Sequence, residues 1–251
     1  MEQKIIAWIK EYALDNKIKS LVVGISGGID SALVSVLCAL TGLHVNVVSI
    51  PIEQNNDQLD RAKKHAQWLL QAHKNVEFIE KDLTAVFRDF KALFDSKHQT
   101  DLALANSKSR LRMVALYQIA ASSQGIVVGT GNKVEDFGVG FFTKYGDGGV
   151  DISPIADLTK SEVRALAKKL GINDEIISAK PTDGLWNDDR SDEDQIGATY
   201  EELEWAMEFV NTSSDKNKLT KRQMEILQIF HKFNSANKHK MVPVPIFKHV
   251  A

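Results

Sequence analysis

The chain has 251 residues, 43% of them hydrophobic and 25% charged, with a formal net charge of −2. That composition is ordinary for a soluble globular protein, and the length suits one large α/β domain with a substantial core, or two small ones. The slight net acidity argues against broad electrostatic binding to nucleic acid or an anionic membrane, but it leaves room for a local basic site for a small anion.

The opening Met1-Glu2-Gln3-Lys4 lacks the charged–apolar–cleavage pattern of a signal peptide. Ile5, Ile6, Trp8, Ile9 and Tyr12 then recur at helical spacing and give one apolar face. Leu21-Val22-Val23-Gly24-Ile25 is a continuous apolar run, the pattern of a strand covered on both faces in a parallel sheet. A glycine-rich turn follows, and Ala32 to Leu40 continue as a helix. Cys38 lies inside that apolar helix and reads as a buried small hydrophobe. As the single cysteine, it rules out a disulfide framework and a cysteine-rich zinc site. The stretch Ala32 to Ile52 is broken by Gly42, His44, Asn46 and Pro51, so it is a helix and a strand rather than a membrane span. A cytoplasmic location is the expectation.

The rhythm repeats with a strand over Val45 to Ile50, a helix over Asp57 to Gln71 and a short strand over Val76 to Ile79. Thr84 to Phe94 place Phe87, Phe90, Leu93 and Phe94 at helical spacing, which reads as core. A long helix spans Ala103 to Ala121, and Ile126 to Gly129 form the fourth strand. Thr159-Lys160-Ser161-Glu162 is a capping box opening a helix to Leu170, with Gly171 as its stop. Alternating strands and helices predict a doubly wound parallel sheet flanked by helices. Lys144 to Asp151 is a glycine-rich loop. Thr182 to Gln195, with six acids and one basic residue, reads either as a solvated surface loop or as a cover over a site.

The turn Ser26-Gly27-Gly28-Ile29-Asp30-Ser31 carries the chemistry. Two glycines let backbone N–H groups face an anion, and the following helix aims its positive end at the same spot. Ser26 and Ser31 add hydroxyl donors, and Asp30 stands where a phosphate-bound Mg²⁺ needs an oxygen ligand. There is no Gly-Lys-Ser/Thr of a Walker loop and no dinucleotide Gly-x-Gly-x-x-Gly fingerprint. The motif resembles the pyrophosphate loop of the ATP pyrophosphatase (adenine nucleotide α-hydrolase) superfamily, whose members adenylate a carbonyl or carboxylate oxygen and release pyrophosphate. The resemblance implies ATP binding by Gly24 through Ser31 and a Rossmann-type three-layer α/β/α fold.

Further strings narrow the resemblance. Asn106-Ser107-Lys108-Ser109-Arg110-Leu111-Arg112 is similar to an Asn-x-Lys-Ala-Arg-x-Arg segment of the NAD synthetases, with Ser109 in place of alanine. Gly129-Thr130-Gly131-Asn132-Lys133 with Glu135, the string from Gly140 to Asp151 (GFFTKYGDGGVD), Pro154, Leu158-Thr159-Lys160, Lys180-Pro181-Thr182 and His239-Lys240 follow in the same order. The chain therefore resembles bacterial-type, ammonia-dependent NAD synthetases over essentially its whole length, as a single domain from 1 to 251.

That resemblance implies a C–N ligase using ATP, nicotinic acid adenine dinucleotide (deamido-NAD) and ammonia. Asp30 and Lys160 would be catalytic, Asp30 and Glu135 would hold Mg²⁺, and Thr130, Lys160 and Thr182 would join the loop in binding ATP. Arg110, Lys144, Asp151, His239 and Lys240 would bind the dinucleotide. Arginine and lysine suit its pyrophosphate, and Phe141 and Phe142 read equally as a face for the nicotinate ring or as core. A homodimer and ordering of loops 144–151 and 182–195 on substrate binding are also implied. In one departure, the stretch 49–56 carries no cation where family members often place an arginine. Free ammonia is the expected nitrogen source, since a glutamine-hydrolysing relative needs an added domain and a catalytic cysteine. The rival readings are an ATP pyrophosphatase acting on tRNA or a purine nucleotide, and a non-catalytic nucleotide-binding module.

Overall fold

The computed structural model describes residues 1–54, 56–182, 191–212 and 219–249. Helix α1 (Glu2–Asp15) precedes β1 (Ser20–Gly24), α2 (Ile29–Leu40), β2 (His44–Ser49), α3 (Asn56–Ala72), β3 (Val76–Glu80) and α4 (Thr84–Ala92). Then come α5 (Asp101–Ser122), β4 (Gly125–Val127), a π-helical turn (Val134–Val139), α6 (Lys160–Lys169), α7 (Asp174–Ile177), α8 (Asp192–Ile196), α9 (Tyr200–Thr212) and α10 (Lys221–Met241). Among the described residues no helix is long and apolar enough to cross a membrane.

The four strands are parallel in the order β3-β2-β1-β4. The apolar runs of β1, β2 and β4 are buried on both faces, whereas the edge strand β3 is only partly covered, and the period of two sorts the side chains between layers. Leu21, Val23, Val45 and Val47 pack against α1, α2, α3 and α6, whereas Val22, Val48 and Val127 pack against α5. This is the expected three-layer arrangement. The thiol of Cys38 is buried in the first layer, and burial pushes its pKa far above the usual thiol range.

The chain leaves β1 in one direction, through β2 and β3, and returns through α4 and α5 to place β4 on the other side of β1. The β1–β4 boundary is therefore a topological switch point, where the loops leaving two neighbouring strands diverge and open a crevice. An isolated bridge, Val128 to Ile152, extends the β4 edge.

A second apolar cluster, formed by Val134, Val139, Ile196, Tyr200, Leu203, Ile226 and Phe230, joins the π turn to α8, α9 and α10. Helix α10 is stitched to that turn by Asn234 and Asn237, whose side-chain amides donate to the carbonyls of Gly138 (2.7 Å) and Val139 (2.9 Å). Gly140 has φ +63°, and a Cβ there would lie 2.5 Å from Cβ of Asn237, so glycine lets the helix close on the loop.

The expectation of core for α4 holds only for Phe87. Leu93 is 80% exposed and Phe94 44%, since α4 ends at Ala92 and both residues lie past its last turn. Residues 183–190 of the acidic stretch 182–195 lie outside the described residues.

Candidate functional site

The loop after β1 is built as its sequence requires. Gly27 has φ +83°, and a Cβ on it would lie 2.3 Å from the carbonyl oxygen of Gln58 at the start of α3, so both conformation and space demand glycine. Ser31 Oγ donates to the Gly28 carbonyl (3.0 Å) and accepts from Ser26 N (3.2 Å), while the Ser26 and Ser31 hydroxyls stand 3.2 Å apart. Ile25 is buried and donates its N–H to Val48 O at 2.8 Å, which anchors the loop to β2. Gly28 caps α2, and Ile29 and Asp30 begin its first turn.

Across the switch point, the loop after β4 supplies the facing wall. Asn132 is fully buried. Its Oδ1 accepts from the N–H groups of Val134 and Glu135 (3.1 Å each), and its Nδ2 donates to Asp30 Oδ1 at 3.2 Å. Asn132 thus caps the π turn and steers Asp30 at the same time. π turns are rare and tend to mark functional sites, and this one carries Glu135.

Lys160 closes the centre. Its ammonium donates to Asp30 Oδ2 at 2.5 Å and to Glu135 Oε1 at 3.1 Å, and the residue is 2% exposed. The expected capping box is present, with Thr159 and Glu162 satisfying each other's backbone N–H groups. A cation in the first turn of a helix opposes the dipole, and here two carboxylates offset that cost. Burial alone would lower the Lys160 pKa, but Asp30 and Glu135 outweigh it and hold the ammonium well above its usual range. Burial, together with the charge of Asp30, raises Glu135 against the pull of Lys160 and Tyr200. The adjacent Asp136 is pushed up to about 8 by burial and by Glu135, Asp147 and Asp30.

Of the residues expected at the dinucleotide, four gather around the 140–149 loop. Arg110 Nε donates to Lys144 O (3.3 Å), Lys144 Nζ to His239 O (2.9 Å) and Lys240 Nζ to Phe142 O (2.7 Å). Phe142 is half-buried with Lys240 Nζ 5.0 Å from its ring centre, while Phe141 packs against the second apolar cluster. Asp151 stands apart: its carboxylate accepts from Tyr117 OH (3.0 Å) and Val127 N (2.7 Å) and pins the end of β4. Thr130 is half-buried in the β4 loop, and Thr182 borders the undescribed residues.

The serine at 109 has a structural reason. It donates to Asp147 Oδ1 (2.7 Å) and accepts from Asp147 N (2.9 Å), and Thr143 donates to Asn106 at 2.7 Å. Loop 144–151 is thereby tied to α5.

The cations lacking at 49–56 arrive from other elements. Arg61 Nε donates to Gly27 O (3.4 Å) and Arg112 Nε to Ile50 O (3.0 Å), and Lys108 and Arg88 meet Glu53 at 3.5 and 3.0 Å. Sequence reasoning missed this convergence, and it missed Tyr200 entirely. The only local signal for Tyr200 was an aromatic residue at the start of an acidic helix.

The NAD synthase family model matches residues 1–243. The chain is 38% identical over 209 residues to the NH(3)-dependent NAD(+) synthetase of Finegoldia magna, covering 82% of this chain and 83% of that one. Its fold is similar to that of the NMN synthetase from Francisella tularensis (TM-score 0.86, 28% identity, 99% of this chain and 97% of that one). It is also similar to the NH3-dependent NAD synthetase from Campylobacter jejuni (TM-score 0.80, 26% identity, 98% and 97%). A glycine turn, a facing carboxylate and a buried lysine meet at one switch point, and these matches over nearly the full length show that the chain belongs to the NAD synthase family.

Proposed function

We propose that this chain amidates deamido-NAD to NAD with ammonia, consuming ATP and releasing AMP and pyrophosphate. The convergence of Asp30 and Glu135 on the Lys160 ammonium, beside the Ser26–Ser31 loop, carries the reading. In the first step a nicotinate carboxylate oxygen attacks the α-phosphorus of ATP. The bond from that phosphorus to the β-phosphate bridging oxygen breaks, giving an acyl-adenylate and pyrophosphate. In the second step the ammonia nitrogen attacks the acyl carbon, AMP leaves with the C–O bond pair, and the nitrogen loses a proton.

The loop N–H groups and the Ser26 and Ser31 hydroxyls hold the leaving pyrophosphate, and Lys160 stabilises charge building on the α-phosphate oxygens. The donor set fits Mg²⁺: two carboxylates already converge on one cation, and Mg²⁺ beside phosphates takes one or two carboxylates and completes its shell with phosphate and water oxygens. Asp30 and Glu135 would hold the ion, and when bound it neutralises phosphate charge. Arg110, Lys144, His239 and Lys240 line the dinucleotide side. Leu102 and Val114 on α5 are 63% and 58% exposed, which supports a homodimer.

With ATP, Mg²⁺, ammonium and deamido-NAD supplied, AMP and NAD appear in equal amounts; AMP without NAD, or neither product, overturns the reading. The similarity to an NMN synthetase favours a second reading, in which the substrate is nicotinic acid mononucleotide. The same nicotinate carboxylate is amidated in both cases. The ratio of kcat/KM for the dinucleotide and the mononucleotide, measured in one preparation, decides between them.

A further inference from the structure

Tyr200 heads the largest side chains that the fold hides completely, at 0% exposure. It sits in the first turn of α9, inside the apolar cluster of the π turn, α8, α9 and α10. A buried phenol must find a hydrogen-bond partner, and this one finds two carboxylates. Its hydroxyl stands 2.5 Å from Glu135 Oε1 and 3.3 Å from Asp192 Oδ2. A phenol has one proton to donate, and the shorter contact claims it. The face of the same ring carries the Lys160 ammonium 4.5 Å from its centre, within cation–π range.

One side chain therefore touches both the carboxylate and the ammonium of the reaction centre. Glu135 Oε1 accepts from Tyr200 and from Lys160, whereas Oε2 accepts no hydrogen bond from the described residues. With Oε1 saturated, the carboxylate cannot rotate without breaking two charge-assisted bonds. We propose that Tyr200 is a positioning residue: its hydroxyl fixes Glu135 through Oε1 so that Oε2 is kept for the divalent ion, and its ring seats Lys160. Asp192, whose N–H donates to Pro181 O at 2.9 Å, ties this arrangement to the segment that carries Thr182.

The inference rests on the metal role of Asp30 and Glu135 proposed above, and its test separates the two. Tyr200→Phe keeps the ring and removes the hydroxyl; Tyr200→Leu removes both. Mn²⁺ binding is titrated by electron paramagnetic resonance with a non-cleavable α,β-methylene ATP, and steady-state constants are measured alongside. The Phe variant is expected to bind Mn²⁺ about tenfold more weakly and to lose about tenfold in kcat, the usual range for groups that orient metal ligands. Its KM for deamido-NAD should stay within about twofold, since uniform substrate binding is untouched. The Leu variant is expected to raise the KM for ATP as well, because Lys160 loses its seat. If the Phe variant is less stable, metal affinity is read as the rise in Tm that Mn²⁺ and the analogue add to its own baseline. Wild-type Mn²⁺ affinity and kcat in the Phe variant overturn the proposal, as does a Phe variant that fails to fold. Absence of AMP and NAD with the wild-type protein overturns the underlying reading instead.

Discussion

The Lys160 ammonium lies 2.5 Å from the Asp30 carboxylate, a pair 130 residues apart in sequence that meets at the β1–β4 switch point. Removing one partner strands a buried charge. Lys160→Met is expected to cost about 3–5 kcal/mol of stability, the range for breaking a buried pair. Urea unfolding measures this, and amidation should be lost at the same time. A Met variant of wild-type stability would show that the pair carries no structural weight.

Asp30→Asn preserves shape and removes the charge. It is expected to lower kcat by at least about a hundredfold, as for loss of a preorganised electrostatic contact at a phosphoryl centre. Mn²⁺ binding with an ATP analogue should fall with it. Full activity in this variant removes the metal assignment.

Gly27→Ala forces a side chain into φ +83° and against the Gln58 carbonyl. Backbone strain of this kind costs about 1–3 kcal/mol, and the loop should reshape before α3 moves. The expected result is a raised KM for ATP with the KM for deamido-NAD unchanged, read from steady-state kinetics.

Lys144→Ala removes a cation at the expected dinucleotide side, where its ammonium reaches His239 O at 2.9 Å. The KM for deamido-NAD should rise about tenfold, or about 1.4 kcal/mol, with kcat little changed, the signature of lost uniform binding. An unchanged KM moves the dinucleotide away from this loop.

His65 on α3 is buried beside Ser35 on α2, with Nε2 2.9 Å from the serine Oγ, and burial lowers its pKa from 6.5 to about 4. A folded pKa below the unfolded one means that the unfolded chain takes up the proton first. The contribution is therefore present above pH 6.5 and lost as pH falls toward 4. Linkage over that interval is worth about 3 kcal/mol at most. His65→Gln should flatten the fall in stability between pH 6.5 and 4, which denaturation midpoints at several pH values will show.

Local patterns determined much of this protein. Apolar runs buried on both faces mark β1 and β2, the Thr159–Glu162 box marks the start of α6, and the Ser26–Ser31 string marks the tight turn between β1 and α2. Each depends on residues within one turn or one strand of each other, so chemistry and spacing suffice. Helix α5 was legible as a helix, yet its apolar residues occur on several sides, and periodicity alone gave no single buried face. The α4 core is narrower than its spacing predicts for the same reason: Leu93 and Phe94 have helical spacing yet stay exposed, and Phe94 meets the ring of Phe90 rather than the core.

What only the tertiary structure decided is which distant side chains share a charge. Asn132, Tyr200 and Asp192 reach the centre from a loop and two late helices, and Arg61 and Arg112 reach the carbonyls of Gly27 and Ile50 from α3 and α5. Hydrophobic burial is non-directional and sets no such partner by itself. The partners follow from the crossover that puts β4 beside β1 and from the packing of α9 and α10 on the π turn. The glycine turn after β1 was legible from the chain alone; the geometry that brings Lys160, Asp30 and Glu135 into contact exists only in the folded state.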